Sequence, residues 1–316
     1  MSKRRPLSGQ VLEQVSEQAP NQLNDQAPER LLERVLKQAS VLLDRAESWL
    51  PPTMEPDWNA HAWRWRKNGA RGRLEAIQRT HAIGLSDLCC VDAQRDEIDR
   101  NTRQFLAGAG ANNTLLWGAR GTGKSSLIKA LFNTYRAQGL RLIEIDKDDL
   151  IDLPDILDLI YGRPERFILY CDDLYFDAGE SGYKALKAVL DGSIGAPPEN
   201  LLIYATSNRR HLLPELQQEN RESRMIDGEI HHGEGVEEKI SLSDRFGLWL
   251  SFYPFGQEQY LGVCRHWLAR LAADRADAAE TERAALQWAL RRGSRSGRTA
   301  WQFARDWAGR QQLSQS

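Results

Sequence analysis

The run Trp117-Gly118-Ala119-Arg120-Gly121-Thr122-Gly123-Lys124-Ser125-Ser126 sets glycines, a lysine and hydroxyls at the spacing Gly, four residues, Gly-Lys-Ser. Glycines at such positions let the backbone curl until successive N–H groups point inward at phosphate oxygens. Lys124 then supplies a mobile positive charge to the terminal phosphates, and the Ser125 hydroxyl a ligand for Mg²⁺. Gly118, Ala119, Arg120, Gly121, Thr122, Gly123, Lys124, Ser125 and Ser126 are therefore the candidate cradle for a nucleoside triphosphate. A second chemical signal is Phe167-Ile168-Leu169-Tyr170-Cys171-Asp172-Asp173, an apolar run that ends in two carboxylates. Asp172 suits Mg²⁺ held through its water shell, and Asp173 suits orientation or deprotonation of an attacking water. A third is Leu201 to Asn208, an apolar run ending in polar side chains, where Asn208 can hydrogen-bond a γ-phosphate oxygen or that water.

These residues need elements that hold them at one edge. Thr114 to Trp117 reads as a strand entering the glycine loop, and Leu127, Ile128, Leu131, Phe132 and Tyr135 recur at helical spacing behind it. Gly139 punctuates the helix end, and Leu140 to Ile145 reads as the next strand, so the unit repeats as in a parallel sheet covered by helices. The run into Asp172-Asp173 and the run into Asn208 then read as buried central strands. Both deliver polar groups at their C-terminal ends, where open α/β sheets bind ligands.

Around this core the chain changes character. Residues 1–28 are rich in Gln, Glu, Asn and Pro and read as a loose tail, and Glu29 to Leu50 carries a helical apolar stripe suited either to packing or to a partner. Between His61 and Arg73 the cations Arg64, Arg66, Lys67, Arg71 and Arg73 interleave with Trp63 and Trp65. That pattern fits base stacking with phosphate contacts, and equally an edge strand with tryptophans packed inward. Asp146 to Ile160 reads as a solvated helix face rather than a metal site. Residues 214–239 form an acidic loop; the His231, His232 and Glu234 cluster within it is a poor metal site because adjacent histidines point apart. Helical patterns over Gln257 to Leu271 and Asp277 to Arg291 suggest a small lid. Its arginine-rich end, including Arg295 and Arg298, precedes a final helix and can reach back to a triphosphate.

At 316 residues, with 41% hydrophobic and 27% charged residues, the chain has room for two domains, or one with a lid. No apolar run is long enough to span a bilayer, so no membrane association and a cytoplasmic location are expected. The net charge of −2 argues against a globally basic nucleic-acid binder. Cys89, Cys90, Cys171 and Cys264 lack zinc or disulfide spacing and read as buried thiols. Asn208 is followed by Arg209-Arg210-His211 rather than Lys-x-Asp, which disfavours a GTPase.

Taken in order, the loop, the paired aspartates, Asn208, the Ser243-Asp244-Arg245-Phe246-Gly247 box and the terminal arginines resemble an AAA+ ATPase over about 85–310. The strings at 116–126, 144–150, 205–214 and 249–255 look more closely like a prokaryotic family of AAA+ proteins of unknown function, over most of 55–310. The resemblance implies a five-stranded parallel sheet in AAA+ order flanked by helices, an N-terminal helical extension and a C-terminal helical lid. The implied boundaries are a tail over 1–28, an N-terminal helix and basic, aromatic segment over 29–84, the core over 85–254 and the lid over 255–316. It also implies ATP and Mg²⁺ as cofactors, Gly118 to Ser125 as Walker A, Asp172 and Asp173 as Walker B, and Asn208 as sensor 1. Arg245 would be an arginine finger offered to a neighbouring subunit in a homo-oligomer, and Arg298 sensor 2, with Arg295 its rival. The activity implied is ATP hydrolysis coupled to remodelling of a protein or nucleic-acid partner; the alternative is an ATP-gated nucleic-acid-binding or loader module. Many AAA+ enzymes carry Asp-Glu at the second motif. Here Asp173 sits one methylene further from the water, which implies slow hydrolysis or hydrolysis dependent on closure against a neighbour.

Overall fold

The computed structural model describes residues 32, 35–40, 55–68, 71–176, 180–191, 198–210, 212, 224–226, 229–231, 242–271 and 278–315. The chain divides into two units, Met1–Met54 and Glu55–Ser316. In the first, residues 35–40 are helical, inside the helix expected over 29–50, and Leu32, Val35 and Leu36 are exposed. The tail over 1–28, and His232 and Glu234 of the acidic stretch, lie outside the described residues.

The second unit is built on a sheet. Its elements in chain order are strands β1 (Ala62–Asn68) and β2 (Arg71–Ala76), helix α1 (Asp92–Leu106), β3 (Thr114–Gly118), α2 (Lys124–Tyr135), β4 (Leu140–Ile145), α3 (Leu153–Ile160), β5 (Arg166–Cys171), α4 (Ser181–Asp191) and β6 (Leu201–Ser207). A short ribbon of β7 (Arg224–Ile226) and β8 (Glu229–His231) follows, then β9 (Leu248–Phe252) and the lid helices α5 (Gln257–Arg270), α6 (Ala278–Arg292) and α7 (Gly297–Gln315). The main sheet has the order β2-β1-β4-β5-β6-β3-β9. From β4 to β9 every pairing is parallel, and only the β1–β2 hairpin is antiparallel.

The expected sheet is five-stranded and parallel; β4-β5-β6-β3-β9 form a parallel run with the loop-bearing β3 between β6 and β9. The count is different: the sheet has seven strands, because residues 62–76, expected ahead of the nucleotide core, pair onto β4 through Ala62, Trp63 and Arg64. The sequence hides this because β1 alternates tryptophan with arginine, a pattern that base stacking and an edge strand share. Burial decides between them. Trp63 and Trp65 share one face of β1 and are each 1% exposed. Trp63 lies 6.2 Å from Phe167, and the Trp65 indole donates to Asp152 at 2.9 Å. Rings enclosed in this way are not available to bases. Gly72 on the partner strand makes room for Trp65, since a Cβ there would overlap the indole ring.

Strand β5 is buried along nearly its whole length, as a central parallel strand with both faces covered must be. One core lies under α1, α2 and the lid, around Leu116, Ile128, Tyr170, Tyr204 and Phe303. The other lies under α3, α4 and the hairpin, around Trp65, Ile156, Leu169 and Phe246. In the acid-rich stretch, Leu153, Ile156 and Ile160 of α3 are buried while Asp155 and Asp158 face outward, as a solvated helix face requires. Cys171 and Cys264 are buried, whereas Cys89 and Cys90 are half-buried.

Polar contacts tie the lid to the core. Asp87, 3% exposed, accepts the Gly84 amide at 2.8 Å and pairs with Arg270 of α5. At the start of α7 the Arg298 amide donates to the Gly121 carbonyl at 3.3 Å, which seats this helix on the glycine loop.

Candidate nucleotide site

The loop between β3 and α2 has the shape its glycines predict. Gly118 sits at φ 130°, and a Cβ there would overlap the Phe252 carbonyl, which also accepts the Ala119 amide at 3.0 Å. Gly121 sits at φ 76°, and its Cβ would stand 2.8 Å from the Ser296 hydroxyl. Both positions therefore exclude side chains on two counts, left-handed backbone and close approach. Thr122 closes the loop by donating to the Ala119 carbonyl at 2.8 Å.

Lys124, the first residue of α2, is 7% exposed. Its ammonium donates to the carbonyls of Gly118 at 2.8 Å and Ala119 at 2.9 Å, and to Asn208 Oδ1 at 3.2 Å. Burial pushes its pKa down, against the pull of Asp172 and Asp173, and the Arg120 and Arg298 charges push the same way as burial. A triphosphate would relieve that desolvation by supplying negative charge where the carbonyls now stand in.

Ser125, Asp172 and Thr206 form the next layer. The Ser125 hydroxyl donates to Asp172 Oδ1 at 2.7 Å, and Thr206 donates to the same oxygen. Burial alone would raise the Asp172 carboxyl, but Thr206 and Ser125, joined by the nearby Tyr170 hydroxyl and the Lys129 charge, more than offset it and hold the pKa below the ordinary carboxylate value. Thr206 also accepts the Asp173 amide at 3.0 Å. Asp173 has a left-handed backbone at φ 52°, a conformation that Asp tolerates better than most residues. Asn208 Nδ2 donates to its carboxylate, and Arg120 stands 3.8 Å away. One amide side chain thus bridges Lys124 to Asp173.

These groups share a cavity of about 770 Å³ with an apolar half formed by Ile83, Leu88, Val91, Phe255, Val263, Trp267 and Trp301. The Asn133 amide of α2 donates to the carbonyls of His81 at 2.6 Å and Ile83 at 2.8 Å, pinning that wall. Among the described residues no group of three or more His, Cys, Asp or Glu forms a cation cage. Mg²⁺ suits this donor set all the same, because it takes one or two protein oxygens and completes its shell with waters and phosphate oxygens. Ser125 and Asp172 are the protein oxygens in place. A further sign of fit is the Tyr170 hydroxyl, buried beside Asp172 and Ser125, near enough to interact with both yet without a well-formed hydrogen bond to either.

The expected site residues divide into those gathered here and one that is not. Arg120, Gly121, Thr122, Gly123, Lys124, Ser125, Ser126, Asp172, Asp173, Asn208 and Arg298 line the cavity. Gly118 and Ala119 reach it through their carbonyls on Lys124. Arg298 faces the cavity, whereas Arg295 is not among its lining residues. Arg245 is elsewhere, paired with Asp191 at the end of α4. Sequence reasoning did not assign Thr206, Asn133, Tyr170 or the lid tryptophans. Only Thr206 had a legible signal, its place two residues before Asn208 at the strand end.

The glycine loop leads out of β3, which lies between β6 and β9 in the parallel part of the sheet, and the lid helices follow β9. The chain belongs to the family described as Protein of unknown function (DUF815), whose model matches residues 58–311. No curated protein matches it significantly in sequence. Among solved structures it resembles a single-site mutant of RuvB from Thermotoga maritima, at 14% identity and a TM-score of 0.48, over 70% of this chain and 64% of that one. It also resembles the Thermotoga maritima RuvB Holliday junction branch migration motor, at 12% identity and a TM-score of 0.39, over 70% of each chain. The chain thus spans less than two thirds of the length of the first of these structures.

Proposed function

We propose that this protein binds ATP with Mg²⁺, hydrolyses it, and couples turnover to remodelling of a macromolecular partner as a homo-oligomer. The observation that carries the reading is the convergence of Lys124, Ser125, Asp172, Asp173 and Asn208 on one cavity whose other half is apolar. Anion donors, a metal-ligand pair and a surface for a base then lie in the order in which a nucleoside triphosphate presents them. Ser125 and Asp172 would hold Mg²⁺, which supplies charge neutralisation at the phosphates. Lys124 would exchange its loop carbonyls for phosphate oxygens. Asp173, aimed by Asn208 and Thr206, would orient or deprotonate water, and Arg298 would meet the triphosphate from the lid.

Arg245 is the candidate for a charge offered in trans, since it lies outside its own subunit's cavity and is held by Asp191. Arg245→Ala is expected to keep ATP affinity by calorimetry while losing most phosphate release, on the order of 10³-fold for a finger supplied by a neighbour. Full turnover by the variant at low protein concentration would refute the role. Burial of Trp63 and Trp65 removes the aromatic platform on which a nucleic-acid-loader reading would rest.

A further inference from the structure

Tyr170 is 1% exposed and lies on β5 two residues before Asp172, so both side chains leave the sheet on the face that carries the glycine loop. Its hydroxyl lies beside Ser125 and Asp172 but makes no well-formed hydrogen bond. Tyr204, its neighbour in register on β6, is the contrasting case. That hydroxyl accepts from Asn101 Nδ2 at 3.1 Å and lies 2.9 Å from the Thr102 hydroxyl. Of two enclosed tyrosines side by side, one hydroxyl is fully bonded and the other lacks a well-formed hydrogen bond.

That lack has a local cause. Its polar neighbours are the Asp172 carboxylate and the Ser125 hydroxyl, and Asp172 Oδ1 already accepts from both Ser125 and Thr206. An oxygen that accepts two hydrogen bonds has little capacity for a third. An enclosed hydroxyl without a well-formed hydrogen bond is costly, and its retention calls for a state in which it is used. Such a state arises when the Ser125 hydroxyl turns from Asp172 toward a metal ion. Asp172 then lacks one donor, and Tyr170 is the enclosed hydroxyl beside it.

We propose that Tyr170 is a positioning residue for the metal site, donating to Asp172 when Ser125 leaves that carboxylate for Mg²⁺. The hydroxyl replaces the departing donor, so Asp172 keeps its orientation while its outer oxygen faces the metal's water shell. Tyr170 touches neither nucleotide nor metal, and its effect runs through Asp172. The proposal rests on the Mg²⁺-nucleotide reading above.

The test compares Tyr170→Phe with Tyr204→Phe in the full chain, measuring the nucleotide-free Tm and the ADP affinity in Mg²⁺ against that in EDTA. Tyr170→Phe should leave the nucleotide-free Tm unchanged or higher, and cut the Mg²⁺ enhancement of ADP affinity by about tenfold or more. Tyr204→Phe should lower the nucleotide-free Tm, because it strips a satisfied network, and leave the Mg²⁺ enhancement alone. An unchanged enhancement in Tyr170→Phe, or a loss of nucleotide-free Tm equal to that of Tyr204→Phe, overturns the proposal. If the wild-type chain shows no Mg²⁺-assisted binding, the functional reading itself falls and the proposal with it.

Discussion

Replacing Thr206 by valine keeps the side chain's shape and removes the one oxygen that serves both aspartates. Thr206 donates to Asp172 and accepts the Asp173 amide, itself on a left-handed residue. A hydrogen bond to a charged group contributes about 1.5–3 kcal/mol, and an amide left unpartnered costs about 1–3 kcal/mol. Both aspartates face the cavity, where water replaces part of what is lost, so the total falls slightly below the two low ends together, at about 2 kcal/mol. For a unit of this size each kcal/mol moves Tm by about 2–4 °C, which gives a fall of about 4–8 °C. The pH dependence has a definite sign. Because the folded Asp172 carboxyl is held below its ordinary value, the stabilisation from its donors is fully present above the unfolded value of about 3.9 and lost as pH falls through the folded one. Scanning fluorimetry of nucleotide-free protein should therefore show a constant deficit for Thr206→Val from about pH 8 to about pH 5, narrowing below about pH 4. A Tm within about 1 °C of wild type near neutral pH, or a deficit that widens on acidification, would refute the reasoning.

Asn133→Ala should free the wall at 81–83 and weaken ADP binding about fivefold to thirtyfold by calorimetry, the worth of two hydrogen bonds. Affinity for inorganic tripolyphosphate should not change, and a parallel loss there would show that the residue acts on the loop instead. Gly72→Val would drive a side chain into the Trp65 ring and should cost about 1–3 kcal/mol of stability, with altered near-ultraviolet dichroism. No described hairpin residue lines the cavity, so ADP affinity should hold; a matching loss of affinity would contradict that separation.

Several features of this chain are local, and a linear reading reaches them. The glycine loop is legible because its backbone geometry forbids side chains at Gly118 and Gly121, and because strand, loop and helix are contiguous. Asp172 and Asn208 are legible because buried strands of unbroken apolar residues must end where polar groups meet solvent. Other features depend on what lies across a gap in sequence. Whether Trp63 and Trp65 face a core or a ligand turns on Phe167 and Asp152, about a hundred residues away, and the alternating pattern of β1 is the same in either case. The sheet accordingly gained two strands that the pattern alone left uncommitted.

The same distinction runs through the site. Residue types and spacing determined a glycine loop and oxygens of the kinds that suit a metal, since those depend on a few consecutive residues. Tertiary structure decided that Lys124 rests on its own loop carbonyls, that Thr206 serves two aspartates, and that Arg298 rather than Arg295 faces the cavity. It also decided that one of two adjacent buried tyrosines is left without a well-formed hydrogen bond. Each of these is a distance between groups that only the packed sheet and lid bring together, and a hydrogen bond falls steeply with distance and angle while a sequence pattern carries neither.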